Sequence, residues 1–176
     1  GTLNICPKSL ESAITEKTKA IIPVHMMGAA ADMDAVMEIA QRHNLKVLED
    51  TAQACGGSYK GRTLGTIGHM GAFSTDAGKT LMTGEGGMVV TADENLFIKS
   101  RSYHDHGHEY STSQGRAEER ALLPGFNFRL TELQGAIGLV QLSKLDMILE
   151  KQRFNKHFLK NALKDCPFQF RKIIDA

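Results

Sequence analysis

The first third of the chain contains two short apolar runs, and between them apolar residues recur at the spacing of a helix. The run KAIIPV at residues 19–24 predicts a strand buried on both faces, with Pro23 near its end. Asp32 then precedes apolar residues at helical spacing, and KVLE at residues 46–49 predicts the next strand. A strand, a helix and a strand joined by short loops predict a βαβ unit in a parallel sheet.

Glycine-rich loops divide the next part of the chain. Residues 56–68 predict a loop with a small hairpin turning at Lys60 and Gly61. Residues 70–74 predict a strand, and TGEGG at residues 83–87 reverses the chain into a hairpin-like return strand. Asp50 ends the preceding strand and Lys79 follows this one, so both are expected at the carboxyl edge of the sheet, where ligands bind.

Helical periods account for most of the remaining chain. Helices are predicted over residues 7–14, over residues 94–103 after a cap at Asp93, and over residues 132–163 after a cap at Thr131, the last as one or two helices. Residues 104–125 are polar and irregular, and a loop of that length in a compact domain is usually functional or mobile.

Composition narrows the class of protein. A chain of 176 residues with 41% hydrophobic residues can build one domain with a core. The net charge of +1 gives no basic field for nucleic acid, and no apolar run is long enough for a membrane span. Residues 1–10 are mixed and polar, so we do not expect them to be a signal peptide. The cysteines, Cys6, Cys55 and Cys166, are far apart, which predicts reduced thiols in a cytoplasmic protein.

Lys79 is the centre of the candidate chemistry. The tetrapeptide AGKT at residues 77–80 is similar to the tail of a phosphate-binding P-loop, but that motif needs a glycine where Phe73 stands and a helix where a strand is predicted, so we reject it. The alternative is a Schiff-base lysine, which needs a phosphate anchor and a carboxylate for the cofactor ring. A lone loop lysine is more often simply solvated, so its neighbours decide.

Three stretches carry a resemblance to a known family. KVLEDTAQA at residues 46–54, FSTDAGKTLMTGEGGMVVT at residues 73–91 and GFNFRLTELQGAIGLVQL at residues 125–142 resemble the DegT/StrS-type aminotransferases. Residues 4–28 are also similar to that family. Its members are pyridoxal-phosphate enzymes that aminate keto-sugars attached to nucleotides. The resemblance implies an α/β chain, part of the three-layer α/β/α large domain of a fold-type-I pyridoxal-phosphate transferase, with a mainly parallel sheet.

The resemblance implies roles for individual residues. Asp50 matches the carboxylate that pairs with the pyridine nitrogen, which keeps the ring protonated and able to accept electrons. Gln53 matches a residue near the ring hydroxyl, and Ser74 matches a hydroxyl that anchors the cofactor phosphate. Lys79 matches the lysine of the internal aldimine, which the amino donor displaces and which then acts as general base and acid. Asn127 matches an asparagine that reaches the cofactor phosphate of the neighbouring subunit, which implies an obligate homodimer with shared sites.

The implied reaction transfers an amino group, expected to come from glutamate, to a keto-sugar nucleotide. A branch of the family with histidine in place of Lys79 performs dehydration, so the lysine favours transamination. Residues 76–78 (DAG) are smaller than the residues often found before that lysine, which affects the shape of the pocket. The alternatives are an aminotransferase of the same family that acts on a cyclic ketone, and a non-catalytic module for dimerisation or regulation.

Other features carry no assigned role. HDHGH at residues 104–108 has the alternating histidines of some metal sites, but the family has a histidine-glycine pair here without a metal, so we predict no bound metal. His25 is expected near the binding edge. Arg129 is expected either to orient a substrate phosphate or to fix the loop. Taken singly, Asp50 could cap a loop and Asn127 could satisfy a local turn.

The resemblance also sets an expectation about domains. A Gly-Thr phosphate loop with an aromatic residue for the cofactor ring has no counterpart upstream, and neither has a small C-terminal domain downstream. We therefore expect residues 1–165 to form part of the cofactor-binding large domain and residues 166–176 to begin the small domain. A central fragment of this kind is expected to bind the cofactor weakly.

Overall fold

The structure is a computed structural model that describes residues 1–115 and 117–174. The helices are α1 (Pro7–Ala13), α2 (Met33–Arg42), α3 (Glu94–His104), α4 (Glu132–Ser143) and α5 (Leu145–Ala162). The strands are β1 (Ala20–Ile21), β2 (Lys46–Asp50), β3 (Ser58–Tyr59), β4 (Arg62–Thr63), β5 (Met70–Ser74) and β6 (Gly87–Val90). A 3-10 turn, Met26–Gly28, follows β1.

The central sheet has the strand order β1-β2-β5-β6. Strands β1, β2 and β5 run parallel, and β6 returns antiparallel to β5 with Ser74 opposite Gly87. The predicted α/β class, the mainly parallel sheet and the hairpin-like return are therefore confirmed. Strands β3 and β4 form the small hairpin predicted around Lys60 and Gly61, whose φ angles are 49° and 75°.

The core lies between helix α2 and the sheet. The Asp32 carboxylate accepts a hydrogen bond from the Ala35 N–H and so caps α2, as the sequence predicts. The apolar face of α2 is buried against β1, β2 and the loop after β2, and each fully buried side chain of this size contributes roughly 1.5–3 kcal/mol. The core residues around this face include Met33, Val36, Ile39, Val47, Tyr59, Leu64 and Ile67.

Strand β1 is shorter than predicted, and the prediction that it is buried on both faces is wrong. Ile22 is 56% exposed, while Ile21 is buried. Pro23 has no N–H to donate to the sheet, so the ladder stops there and pairing resumes only as an isolated bridge between Val24 and Asp50. The Pro23 carbonyl still accepts a hydrogen bond from the Asp50 N–H at 2.9 Å.

The predicted helical region at residues 132–163 forms two helices, α4 and α5, because α4 ends and α5 begins at Lys144. Within the described residues neither helix has a buried side chain. Large apolar side chains are exposed to solvent on both helices, with Leu133 79% and Phe154 68% exposed. None of the helices described is both long and apolar enough to cross a membrane.

Candidate active site

The carboxyl ends of β2 and β5 bring Asp50 and Ser74 to one edge of the sheet. Asp50 is in register with Ala72, and Ser74 lies two residues further along β5. Because side chains alternate across a strand, Asp50, Ala72 and Ser74 face the same side of the sheet. Both polar side chains are half-buried. The parallel pairing predicted from the sequence is therefore what places these two residues together.

Hydrogen bonds hold the main chain around Asp50 from both neighbouring strands. Toward β1, its carbonyl accepts from the His25 N–H at 3.0 Å and its N–H donates to Pro23. Toward β5, the Thr51 N–H donates to the Ala72 carbonyl at 2.9 Å. The Asp50 carboxylate accepts a hydrogen bond from the Ala52 N–H at 3.0 Å. One carboxylate oxygen is thus directed by the local turn, and the other is available for a ligand.

Gln53 is exposed and is oriented by the 3-10 turn. Its side-chain oxygen accepts a hydrogen bond from the Met27 N–H at 2.9 Å. Met27 has a positive φ of 50°, and Gly28 directly after it has a φ of 77°. The same turn is fixed from the other side by Asn4, whose side-chain oxygen accepts from the Met26 N–H at 3.0 Å. Gln53 therefore depends on residues that are distant in sequence.

Lys79 lies in a loop whose two ends are tied together by a pair of buried threonines, which we call the threonine clamp (Thr75 and Thr83). The Thr83 N–H donates to the Thr75 carbonyl at 2.8 Å, and the two hydroxyl oxygens are 2.8 Å apart. The Thr75 N–H in turn donates to Gly86 at 2.9 Å. The loop that carries Lys79 is thus closed immediately after Ser74, at the edge where Asp50 lies.

The Lys79 side chain is half-buried. Within residues 1–115 and 117–174 its ammonium makes no hydrogen bond and no ion pair; the main-chain N–H donates to the Asp76 carbonyl at 2.9 Å. This is the arrangement of an amine that is kept available for a ligand.

Helix α4 packs on the return loop and links it to the C-terminal part of the chain. Thr131 and Gln134 form a capping box, as the sequence predicts for the start of this helix. The Gln134 amide also donates to the Glu85 carbonyl at 2.9 Å. Gly86 has a φ of 127°, a backbone conformation that residues with a side chain rarely adopt, so glycine is favoured at this contact.

The opposite face of the sheet carries a buried carboxylate. Glu49 is fully buried, and its oxygens accept hydrogen bonds from the N–H groups of Gly65, Ile67 and Gly68 at 2.8, 2.6 and 2.6 Å. His25 Nε2 completes the set at 3.0 Å. Burial alone would raise the pKa of Glu49, but these hydrogen bonds outweigh it and hold the pKa below its ordinary value.

Asn127 lies apart from the other candidate residues in the hydrogen-bond pattern. It is exposed, its side-chain oxygen accepts from the Arg129 N–H at 3.3 Å, and its main chain forms an isolated bridge with Asp105. Among the residues described, no hydrogen bond joins Asn127 to Asp50, Ser74 or Lys79. Strands β2 and β5 thus bring Asp50 and Ser74 to one edge, Lys79 lies in the loop that follows β5, and Asn127 is exposed.

Arg129 fixes the long loop. Its guanidinium contacts the buried Asp105 carboxylate, which also accepts a hydrogen bond from the Tyr110 hydroxyl at 2.7 Å. The donor atoms of Asp105, His106 and His108 lie within 4.8 Å of one another, as in some metal sites. Arg129 occupies the carboxylate, however, and a guanidinium beside a cation would repel it. The prediction of no metal stays a prediction, with this pairing in its favour.

The donor set at the edge fits pyridoxal phosphate. A carboxylate suits a protonated ring nitrogen, a hydroxyl beside main-chain N–H groups suits a phosphate, and a free amine suits an aldehyde. Asp50, Ser74 and Lys79 supply these groups from adjacent strand ends and one closed loop. Gln53 adds a polar side chain from the loop that follows β2.

Comparison with known proteins agrees with this geometry. A model of the DegT/DnrJ/EryC1/StrS aminotransferase family matches residues 1–175. The chain belongs to the DegT/DnrJ/EryC1/StrS aminotransferase family. The fold expected from the resemblance is thereby confirmed together with the family.

The relatives of this family member include a polysaccharide biosynthesis protein and a GDP-perosamine synthase. The chain is 47% identical over 152 residues to the spore coat polysaccharide biosynthesis protein SpsC of Bacillus subtilis, covering 83% of this chain and 39% of that protein. It is 43% identical over 147 residues to GDP-perosamine synthase of Caulobacter vibrioides, covering 82% of this chain and 38% of that protein.

A solved structure matches along nearly the whole chain. This is the GDP-4-keto-6-deoxy-D-mannose-3-dehydratase of E. coli with bound hydrated PLP, at a TM-score of 0.89 and 32% identity, covering 99% of this chain and 48% of that one. The chain thus spans less than half the length of these DegT/DnrJ/EryC1/StrS proteins.

Two features of this site are not identified by the sequence: the buried Glu49 and the threonine clamp. Glu49 is the last residue of the run KVLE that predicts a strand, and nothing in that run marks its carboxylate as buried. The threonine clamp has no local signal, because two threonines eight residues apart become neighbours only when the loop closes. Both groups act by holding the residues predicted to contact the cofactor.

Proposed function

We propose that the protein containing this chain is a pyridoxal-phosphate-dependent aminotransferase that transfers an amino group, with glutamate as donor, to a keto-sugar nucleotide. The observation that carries the proposal is the half-buried Lys79, whose amine has no partner in the described chain and whose loop begins directly after Ser74, at the strand edge where Asp50 lies. The family and its sugar-modifying relatives support it independently.

Each residue at the edge has a defined task in this proposal. Lys79 Nζ binds the aldehyde of the cofactor and later moves a proton at the substrate carbon. Asp50 keeps the ring nitrogen protonated, and the Ser74 hydroxyl binds the phosphate together with nearby N–H groups. When bound, pyridoxal phosphate supplies the electron sink that makes a carbon beside nitrogen acidic. The threonine clamp limits the volume that the Lys79 amine samples, which lowers the entropy cost of each transfer.

The proposed substrate class rests on the relatives. GDP-perosamine synthase takes its name from a nucleotide-linked amino sugar, and SpsC from the biosynthesis of a polysaccharide. A keto-sugar linked to a nucleoside diphosphate is the substrate consistent with both names. An aminotransferase of this family acting on a cyclic ketone is the alternative within the same chemistry.

The proposed assembly is a homodimer that completes the site. Asn127 is exposed and, within the described residues, makes no hydrogen bond to Asp50, Ser74 or Lys79, as expected of a residue that serves the neighbouring subunit. Helices α4 and α5 expose apolar side chains in large number, including Leu133, Leu139, Phe154 and Phe158. Exposed apolar area of this extent is typical of an interaction surface. A reducing, cytoplasmic setting agrees with three unpaired cysteines.

Transamination is distinguished from dehydration by Lys79. The solved dehydratase has the same fold, so the fold does not separate the two reactions. An amine at this position both binds the aldehyde and carries protons in transamination, and the resemblance places histidine here in the dehydrating branch. The presence of Lys79 also argues against a purely structural module for dimerisation.

The first experiment tests cofactor binding through Lys79. The protein is mixed with pyridoxal phosphate, its visible absorption is recorded before and after borohydride, and the reduced protein is mapped by peptide mass spectrometry. We expect a band that borohydride abolishes, with the cofactor mass on the peptide that contains Lys79. Lys79→Ala should lose both, while the exposed-lysine control Lys99→Ala should keep both. Cofactor mass on another lysine, or an unaffected Lys79→Ala, would contradict the proposal.

A second experiment tests the substrate class. The protein is incubated with glutamate and a GDP-linked 4-keto-sugar, and both products are followed by mass spectrometry. Transamination yields 2-oxoglutarate and an amino sugar in equal amounts, whereas dehydration yields a sugar that has lost water without gaining nitrogen. Nitrogen-15 from labelled glutamate should appear in the sugar. Labelled nitrogen appearing only with a cyclic ketone substrate would favour the alternative.

A further inference from the structure

His25 is a fully buried histidine in the segment between β1 and the 3-10 turn, and none of the tasks above uses it. Its ring lies between two hydrogen-bond partners. The Ala31 N–H donates to Nδ1 at 3.1 Å, and Nε2 is 3.0 Å from a Glu49 oxygen. A nitrogen that accepts an N–H carries no proton, so the ring is neutral with its proton on Nε2, pointing at Glu49.

Glu49 collects four donors on the face of the sheet opposite the candidate site. Its two oxygens are shared between His25, the Gly65 N–H and the N–H groups of Ile67 and Gly68. The loop that supplies these donors also packs tightly on the sheet, since a side chain on Gly71 would come within 2.1 Å of the Gly65 carbonyl. Glu49 is therefore immobilised by two separate segments of the chain.

Asp50 directly follows Glu49, and its own main chain is bonded to the same histidine. The His25 N–H donates to the Asp50 carbonyl, while the His25 ring receives no contact from the Asp50 carboxylate itself. His25 thus forms hydrogen bonds to two successive residues: its ring bonds to the Glu49 side chain, and its backbone N–H donates to the Asp50 carbonyl. Any shift of β2 along its axis would break both contacts together.

We infer that His25 and Glu49 form a positioning pair that fixes the Asp50 carboxylate at the height needed for the ring nitrogen of the cofactor. The inference rests on the proposed function. The pair acts from behind the sheet and touches neither cofactor nor substrate. It also connects to Gln53, because the segment that follows His25 donates the Met27 N–H to the Gln53 side chain.

The test is a double-mutant cycle on cofactor affinity, measured by absorption in the protein as its source organism makes it. His25→Asn keeps a group near the Nδ1 position but has no donor for Glu49, and it should weaken pyridoxal phosphate binding about tenfold. In an Asp50→Asn background the same change should alter affinity less than twofold, because the carboxylate it positions is gone. Equal losses in both backgrounds would overturn the inference, since a general loss of packing would act in both.

Two companion variants separate positioning from loss of fold. His25→Gln places an amide N–H near the Nε2 position, and it should recover affinity to within about threefold of the unmodified protein. His43→Asn, at the exposed C-terminal end of α2, should leave affinity unchanged. Weakening by His25→Gln as severe as that by His25→Asn would contradict a role for the contact with Glu49.

A measurement on the unmodified protein needs no variant to fold. Nitrogen-15 chemical shifts of the His25 ring should report a neutral ring protonated on Nε2. A ring protonated on Nδ1 would refute the arrangement. Failure of the unmodified protein to bind pyridoxal phosphate would instead overturn the proposed function and the inference with it, whereas normal binding with no coupling between His25 and Asp50 would overturn the inference alone.

Discussion

Glu49→Gln offers a stringent test of the buried network. The Glu49 carboxylate has two oxygens, and each accepts two donors: Gly65 and His25 on one, Ile67 and Gly68 on the other. A glutamine replaces one oxygen with an NH₂ group that cannot accept. Whichever way the amide turns, two buried N–H groups lose their acceptor and face another donor.

The cost follows from that count. A buried donor left without an acceptor costs about 1–3 kcal/mol, so two of them cost roughly 2–6 kcal/mol of unfolding free energy. Urea unfolding followed by circular dichroism at pH 7 measures the difference directly. Glu38→Gln, on the exposed side of α2, is the matched control and should change stability by less than about 0.5 kcal/mol. A loss below about 1 kcal/mol in Glu49→Gln would refute the reasoning.

The pH dependence of this difference has a definite sign. Folding lowers the pKa of Glu49 below its ordinary value of 4.5, so the folded state binds the proton more weakly than the unfolded state. The stabilisation is therefore complete above about pH 4.5 and is lost as the pH falls through the lower folded value. The gap between the unmodified protein and Glu49→Gln should narrow toward pH 3, because a protonated carboxyl resembles the amide. A gap that widens in acid would contradict this linkage.

Four further substitutions test other contacts. Gly71→Ala should destabilise the fold by about 3 kcal/mol, because its Cβ would meet main-chain atoms of Gly65. Gly135→Ala, with open space around it in α4, should stabilise the fold by up to about 1 kcal/mol. Thermal unfolding compares the two variants, and equal effects would contradict the packing. Thr83→Val removes a hydroxyl of the threonine clamp and should cost about 1–2 kcal/mol while hydrogen exchange in the Lys79 loop accelerates; unchanged exchange would show that the clamp does not hold the loop. Thr131→Ala should lose about 1 kcal/mol with the capping box, and thermal stability equal to the unmodified protein would count against that cap.

Much of the fold could be predicted because its signals are local. The caps at Asp32, Asp93 and Thr131 each place a side-chain oxygen within three residues of the N–H groups it accepts, so residue type and spacing suffice. The turn at Lys60 and Gly61 is equally local. Strand β5 has the predicted bounds, since an apolar run between glycine-rich loops marks both ends. The break at Lys144 has no proline or glycine to mark it, so the sequence left one helix and two helices as equal readings.

The candidate site likewise has one part that local sequence signals predict and another part that they do not. The sequence by itself determined that Asp50, Ser74 and Lys79 follow the carboxyl ends of neighbouring strands, because parallel strands bring those ends to one edge. Only the tertiary structure decided what holds them. Glu49 and His25 are 24 residues apart and meet across the sheet, and the donors to Glu49 come from a loop 16 to 19 residues further on. Contacts of that kind depend on how loops close in three dimensions, which no local residue pattern encodes.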